Sequence, residues 1–306
     1  MELRIRNLSK TYANGVVALD KVTLNIPQGM FGLLGPNGAG KSTLMRILAT
    51  LQECDAGSVF LDDIDVLDEK DEVRRMLGYL PQDFGVYPKV SAEKLLNHFA
   101  VLKGLTHKGE RKEAVEALLQ QTNLWDARKR ALGTYSGGMR QRFGIAQALL
   151  GAPRLVIVDE PTAGLDPDER NRFLNLLAKI GEQVVVILST HIVEDVTDLC
   201  PRMAMIAKGT VLLQGEPQAA IDTLKSRVWR RTVTQEALPG YQERFNVLST
   251  RLVAGRPQIN VYAESQPDDG FVSVEPDLED VYFLQIRNAS RAAGQAASAQ
   301  AAPVTA

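Results

Sequence analysis

The chain has 306 residues, with 35 Lys+Arg against 37 Asp+Glu, two cysteines, 45% hydrophobic and 24% charged residues. That balance provides an ordinary globular core and excludes disorder as the chain's main state. A formal net charge of -2 argues against wholesale nucleic-acid binding. Cys54 and Cys200 are too few for a secreted disulfide framework and fit a reducing compartment. No signal-type apolar segment opens the chain, and no run of about 18 apolar residues occurs. Any membrane role is therefore expected to use another polypeptide.

In chain order, Leu3-Arg4-Ile5 and Val22 to Ile26 alternate as short strands, the second ending at the Pro27-Gln28-Gly29 turn. Met30 to Leu34 is a compact apolar strand feeding a glycine-rich loop, and Thr43 to Leu51 has helical spacing. Helical spacing recurs over Ser91 to Leu102 and Lys108 to Leu119. A helix is expected over Met139 to Leu150, after a Ser-Gly-Gly run, and another through Arg170 to Ile180. Leu155 to Val158 and Val184 to Leu188 read as parallel strands covered on both faces. Such alternation predicts an α/β sheet that holds its ligand at the carboxyl ends of the strands.

Around Leu224 the pattern changes. Trp229 to Thr234 and Ile259 to Ala263 read as strands, and Pro276 to Ile286 as a helix. The predicted division is 1–224 for the first domain, 225–287 for a small α+β extension, and 288–306 for an Ala-rich tail. That tail has few large apolar groups and is expected to be disordered.

Gly35-Pro36-Asn37-Gly38-Ala39-Gly40-Lys41-Ser42 matches the phosphate-loop pattern G-x-x-x-x-G-K-[ST] between a strand and a helix. Its glycines let backbone N–H groups converge on phosphate oxygens, and the helix N-terminus adds positive potential. Lys41 is placed to reach the β- and γ-phosphates, and Ser42 to ligate Mg²⁺. Asp159 and Glu160 follow a buried strand, where the first can hold Mg²⁺ and the second can polarise a water. Ser136-Gly137-Gly138 opens a helix as a second anion cradle. One chain has no use for two such cradles unless the second serves a neighbour, which points to a dimer with nucleotide between its chains.

With these motifs in this order, the sequence resembles the ATP-binding subunit of an ABC transporter over about Met1 to Leu224. The resemblance implies a RecA-like core sheet, an antiparallel β subdomain and a helical signature subdomain. It implies ATP and Mg²⁺ as cofactors, with Gly35 to Thr43, including Ala39, as the phosphate loop. Tyr12 is then the aromatic that stacks on adenine. Gln82, in Leu80-Pro81-Gln82, touches Mg²⁺ and senses the membrane partner. Ser136, Gly137 and Gly138 act on the other subunit's ATP, and Asp159 and Glu160 are the metal carboxylate and catalytic base. Asp166 communicates across the dimer, and His191 contacts the γ-phosphate. The signature departs from the family pattern at Tyr135 and Met139, where Leu and Gln are usual.

The implied function is an ATPase subunit that works as a homodimer on separate transmembrane permease subunits, peripheral to the cytoplasmic face of the plasma membrane. Tyr87 to Glu93, the Gly137-Gly138-Met139-Arg140 form and Leu278 to Tyr282 resemble the bacterial export branch for drugs, polysaccharides and lipids. The alternative is a soluble ABC ATPase acting on nucleic acid or ribosomes. Against it, the interval from Ser42 to Tyr135 lacks sustained heptads and the chain has one cassette. A non-hydrolysing switch is the third reading, and Glu160 argues against it. His98 and His107 lack partners at metal spacing and read as surface residues. Trp125, Trp229 and both cysteines read as packing, and Lys225, Arg227, Arg230 and Arg231 as a solvated linker, with attraction to anionic lipid as the alternative.

Overall fold

The computed structural model describes residues 1–162 and 164–300. The chain divides into two compact units, Met1–Val211 and Leu212–Ala306; the division falls thirteen residues before the 224/225 boundary expected from the change of pattern.

The first unit opens with long antiparallel strands β1 (Glu2–Thr11) and β2 (Val17–Pro27). Leu3 and Ile5 of β1 and Val22, Leu24 and Ile26 of β2 are buried in the period-2 pattern of a half-buried sheet, and a register shift between Ile5 and Leu8 lets Leu8 also be buried. Strand β3 (Gly29–Leu34) leads through the glycine-rich loop into helix α1 (Lys41–Leu48). Strands β4 (Ala56–Leu61) and β5 (Ile64–Asp65) complete a four-stranded sheet ordered β2-β1-β4-β5. Helix α2 (Lys70–Met76) and strand β6 (Leu77–Leu80) follow.

Helices α3 (Ala92–Leu102), α4 (Lys108–Gln121) and α5 (Gly137–Ala148) build their own core from Leu95, Leu96, Val115, Leu119, Phe143 and Ala146. The chain then returns through β7 (Leu155–Asp159), α6 (Pro167–Gly181), β8 (Val185–Thr190), α7 (Val193–Leu199), β9 (Arg202–Ala207) and β10 (Thr210–Gly215). The resulting six-stranded sheet runs β10-β9-β3-β8-β7-β6, and its pairs from β9 to β6 are parallel. Val156, Ile157, Val158, Val186, Ile187 and Leu188 are all fully buried, as the continuous apolar runs of β7 and β8 require. Together these elements form the expected core sheet, antiparallel β sheet and helical subdomain. In register, Leu34 stands opposite Thr190, and Asp159 opposite Ser189. The ends of β3, β7 and β8 thus lie level, so the segments that follow them emerge side by side.

In the second unit, after α8 (Pro217–Asp222), come β11 (Val228–Thr232), α9 (Leu238–Arg244), β12 (Asn246–Val253), β13 (Arg256–Tyr262) and β14 (Val272–Ser273). The four strands form an antiparallel sheet ordered β12-β13-β11-β14 over a core of Val247, Ile259, Val261 and Phe271, joined by Trp229. The basic cluster is not a free linker. Arg230 and Arg231 are strand residues of β11, bound to Asn260 and Asp268, while Arg227 pairs with Glu264 and Lys225 with Asp222.

The last helix, α10, spans Leu278–Gln300, well past the expected end at Ile286. The tail expected to be disordered over 288–306 is therefore helical through residue 300, and 301–306 lie outside the described residues. The reason is local: alanine has the highest helix propensity of any residue, and the segment is rich in it without a proline.

Candidate functional site

The loop between β3 and α1 turns on glycine. Gly40, the N-cap of α1, has φ 104°, and a Cβ there would lie 2.3 Å from the Ala18 carbonyl, so only glycine fits. This turn aims the first N–H groups of α1 into a cavity of about 490 Å³. Tyr12, Gly38, Lys41, Ser42, Gln82 and Glu160 all line it. Unpaired N–H groups at a helix start, with its dipole behind them, suit an anion.

Lys41 is almost fully buried at 4% exposure. Its Nζ donates to the carbonyls of Gly35 (2.6 Å) and Pro36 (3.2 Å) and stands 3.5 Å from Glu160 Oε1. Burial pulls its pKa below the usual lysine value, while the Glu160 charge opposes that shift. Glu160 is itself buried at 9% exposure and has φ 48°, a left-handed conformation uncommon for a side-chain-bearing residue. Its N–H donates to the Ser189 carbonyl at 2.8 Å, holding the turn against β8. Its Oε2 lies 3.1 Å from Nδ1 of His191, whose ring is half-exposed. One carboxylate in the cavity wall therefore bridges a buried ammonium, also in that wall, and an imidazole outside the lining.

Asp159, at the end of β7, is 3% exposed, and burial pushes its carboxyl above the usual carboxylate range. Its Oδ1 and the buried Oγ of Ser189 opposite it make no well-formed hydrogen bond, although the Ser189 and Ser42 hydroxyls lie close enough to oppose that rise. Orphaned oxygens of this kind invite a cation or its ordered waters. Among the described residues no group of three or more His, Cys, Asp or Glu could form a protein cage for a metal. One carboxylate plus the nearby Ser42 hydroxyl instead suits Mg²⁺, which keeps waters and phosphate oxygens in its shell. These residues fit the ion.

Tyr12, 38% exposed at the rim, bonds through its hydroxyl to Thr43 Oγ1 at 2.9 Å and accepts from Gln52 Nε2 at 3.2 Å. The Thr43 bond is the main cause of a lowered Tyr12 pKa. The ring is thus fixed beside the loop, with its hydroxyl already engaged.

The remaining sequence-predicted residues lie elsewhere. Ser136 caps α5 by accepting from Met139 N at 3.2 Å, and Asp166 caps α6 by accepting from Glu169 N at 2.9 Å. Neither these caps nor Gly137 and Gly138 line the cavity. Sequence reasoning missed a link between them: Arg142 of α5 pairs with Glu169 of α6 at 3.3 Å. A Cβ at Gly138 would come within 2.4 Å of Glu169 Oε2. The two capped helix starts are packed together. Met139 sits half-buried against the α3–α5 core, and Tyr135 is buried there with its hydroxyl on the Ala127 carbonyl, so both departures from the usual signature are packing residues. Gln52 and Ser189 were also missed, because nothing in their local sequence distinguishes them from ordinary loop and strand residues; Thr43 was expected in the phosphate loop, but not its bond to Tyr12.

A family model described as ABC transporter matches residues 19–163. The linearmycin resistance ATP-binding protein LnrL of Bacillus subtilis is 33% identical over 247 residues, spanning 80% of this chain and 78% of that protein. The chain belongs to the ABC transporter ATP-binding protein family. The daunorubicin/doxorubicin resistance ATP-binding protein DrrA of Streptomyces peucetius is 35% identical over 262 residues, spanning 85% of this chain and 77% of that protein. The doxorubicin resistance ATP-binding protein DrrA of Mycobacterium tuberculosis is 41% identical over 220 residues, and there the match covers 70% of this chain but only 66% of the relative. Among solved structures, a dimeric ATP-binding cassette in a post-hydrolysis state bound to ADP and Pi superposes with a TM-score of 0.64 at 28% identity, covering 70% of this chain and 98% of that one. The ABC cassette fold and the phosphate-loop cavity thus occur together in this ABC ATP-binding protein.

Proposed function

We propose that this chain binds and hydrolyses Mg·ATP and that two copies, closing around nucleotide, energise a membrane exporter. The observation that carries the reading is Glu160, held between Lys41 and His191 and lining the phosphate-loop cavity. The loop N–H groups of Gly38 to Thr43 and Lys41 bind the phosphates. Tyr12 stacks on adenine. Ser42, Gln82 and Asp159 would hold Mg²⁺, which would supply neutralisation of phosphate charge.

Glu160 orients a water and takes its proton at the carboxylate, and His191 steadies that carboxylate and reaches the γ-phosphate. Ser136, Gly137 and Gly138 complete the partner copy's site, and Asp166 lies across the dimer. That the two capped helix starts stay out of their own cavity supports this division of labour. So does the dimeric, ADP-bound state of the related cassette.

Among the described residues no helix is long and apolar enough to cross a membrane; the reading assigns the pore to transmembrane permease subunits. A groove of about 400 Å³, lined in part by Leu51, Tyr79, Phe99 and Leu102, lies beside α3 and β6 and suits a helix of that partner. The drug-resistance names of the relatives favour export. Phosphate release from Mg·ATP by the purified chain tests the activity, and recovery of a multi-span protein from detergent extracts tests the partner. Absence of magnesium-dependent phosphate release would overturn the reading.

A further inference from the structure

Outside the cavity, one buried carboxylate gathers three segments of the site. Asp195, in the first turn of α7, is 0% exposed. Its Oδ2 accepts from the Thr162 hydroxyl at 2.7 Å and the Thr190 hydroxyl at 3.4 Å, and its Oδ1 accepts from Arg170 Nε at 2.8 Å. Thr162 lies two residues after Glu160. Thr190 immediately precedes His191, and its Oγ1 also accepts from Ile192 N at 3.0 Å, fixing the backbone on both sides of the histidine. Arg170 lies on α6, whose cap is Asp166, and it also reaches Glu194 at 3.3 Å.

A buried carboxylate is costly unless charge-paired and fully bonded. An acceptor-only group can take three donors at once without competing donors of its own. Here those donors come from the three segments that the hydrolytic reading needs in register. Neither Glu160 nor His191 touches Asp195, so any influence passes through backbone.

We propose that Asp195 is a positioning residue that locks the turn after Glu160, the His191 loop and the Asp166-capped helix into one rigid unit. The inference rests on the hydrolytic reading of Glu160 and His191. Without the lock, the 3.1 Å spacing between those two side chains is no longer imposed, and the water that Glu160 orients is less well placed. Nucleotide affinity, set by the loop and Tyr12, is untouched.

The test compares the full chain with Asp195→Ala and Thr162→Val. Phosphate release, ATP affinity by nucleotide titration, and the melting midpoint are measured on each. The expected result is a kcat lowered about ten- to a hundredfold by Asp195→Ala, as misplacement of a catalytic group by an ångström or so produces. ATP affinity stays within about twofold, the pattern of an interaction felt in the transition state. Thr162→Val, which keeps shape and removes one donor, shows the same split to a smaller degree in a folded protein, even should Asp195→Ala fold poorly. In a His191→Ala background, Asp195→Ala adds less than its full loss, because part of its effect passes through a group already gone.

Wild-type kcat in folded Asp195→Ala or, where that variant does not fold, in Thr162→Val overturns the proposal, as does a loss that multiplies fully with that of His191→Ala. An inactive wild-type chain overturns the hydrolytic reading itself, and this inference with it.

Discussion

His191 Nδ1 and Glu160 Oε2 stand 3.1 Å apart, although their positions are 31 residues distant in sequence. The pair exists because β7 and β8 are parallel neighbours in register, which places the residues following both strands at one edge. Lys41 completes the arrangement from the first turn of α1, which follows β3, the strand on the other side of β8. The segments after three neighbouring strands thus bring together one cation, one carboxylate and one imidazole, of which Lys41 and Glu160 line the cavity.

The first expectation concerns that carboxylate. Glu160→Gln keeps the shape and a hydrogen bond to His191 but cannot take a proton from water. Phosphate release is expected to fall at least about a hundredfold. ATP binding persists, and a dimer accumulates with Mg·ATP in size-exclusion chromatography. Undiminished phosphate release by this variant would remove Glu160 from its role.

Much of this site was legible because its chemistry is encoded locally. The glycine pattern from Gly35 to Lys41 follows the apolar run of β3, and Asp159-Glu160 ends the apolar run of β7. Other parts are held by distant pairings that no local pattern announces. Asp195 follows Glu194 in a first helical turn, where acidic residues are common for the helix dipole, and only the fold shows it buried. The Tyr12–Thr43 bond and the Arg142–Glu169 pair are equally long-range. Strand β6 is too short to show a period, and β9 is built largely of Met and Ala, which favour a helix. The Ala-rich end of α10 failed for the opposite reason: its composition suggests disorder, while its propensity is helical.

Asp159 gives a pH-dependent expectation. Burial raises its carboxyl pKa above the usual range, so the native chain retains a proton that the unfolded chain has lost. The stabilisation from this group is complete below the unfolded value of about 4 and declines as pH rises through the native value. Mg²⁺ needs the carboxylate ionised and reverses the trend. Melting midpoints should therefore show Mg·ADP stabilising the chain more at about pH 7.5 than at about pH 5. Asp159→Asn flattens the dependence and removes the magnesium-specific gain. A wild-type magnesium response in that variant contradicts the assignment.

Tyr12 separates ring from hydroxyl. Tyr12→Phe loses only the bonds to Thr43 and Gln52, and ATP affinity should change little. Tyr12→Ala removes the face on which adenine stacks, at a cost of about 1–3 kcal/mol, or roughly five- to 150-fold in Kd. Nucleotide titration measures both. Equal losses in the two variants would assign the effect to the hydroxyl rather than to stacking.

Gly137 and Gly138 should behave differently, although the sequence presents them as equivalents. A Cβ at Gly137 meets nothing within 4 Å, whereas at Gly138 it falls within 2.4 to 2.9 Å of the Glu169 side chain. Glu169 cannot move freely, because its Oε1 is held 3.3 Å from the buried Arg142. In the nucleotide-free chain, Gly138→Ala should cost about 1–3 kcal/mol as an overpacked contact. Gly137→Ala should be neutral or gain up to about 1 kcal/mol from reduced backbone freedom in the unfolded state. Chemical denaturation of the two variants reads this directly. With Mg·ATP, Gly138→Ala also displaces the α5–α6 junction, so phosphate release falls while binding at its own phosphate loop is retained. Equal stability of the two variants would mean that Glu169 yields and that the Arg142–Glu169 pair does not fix the junction.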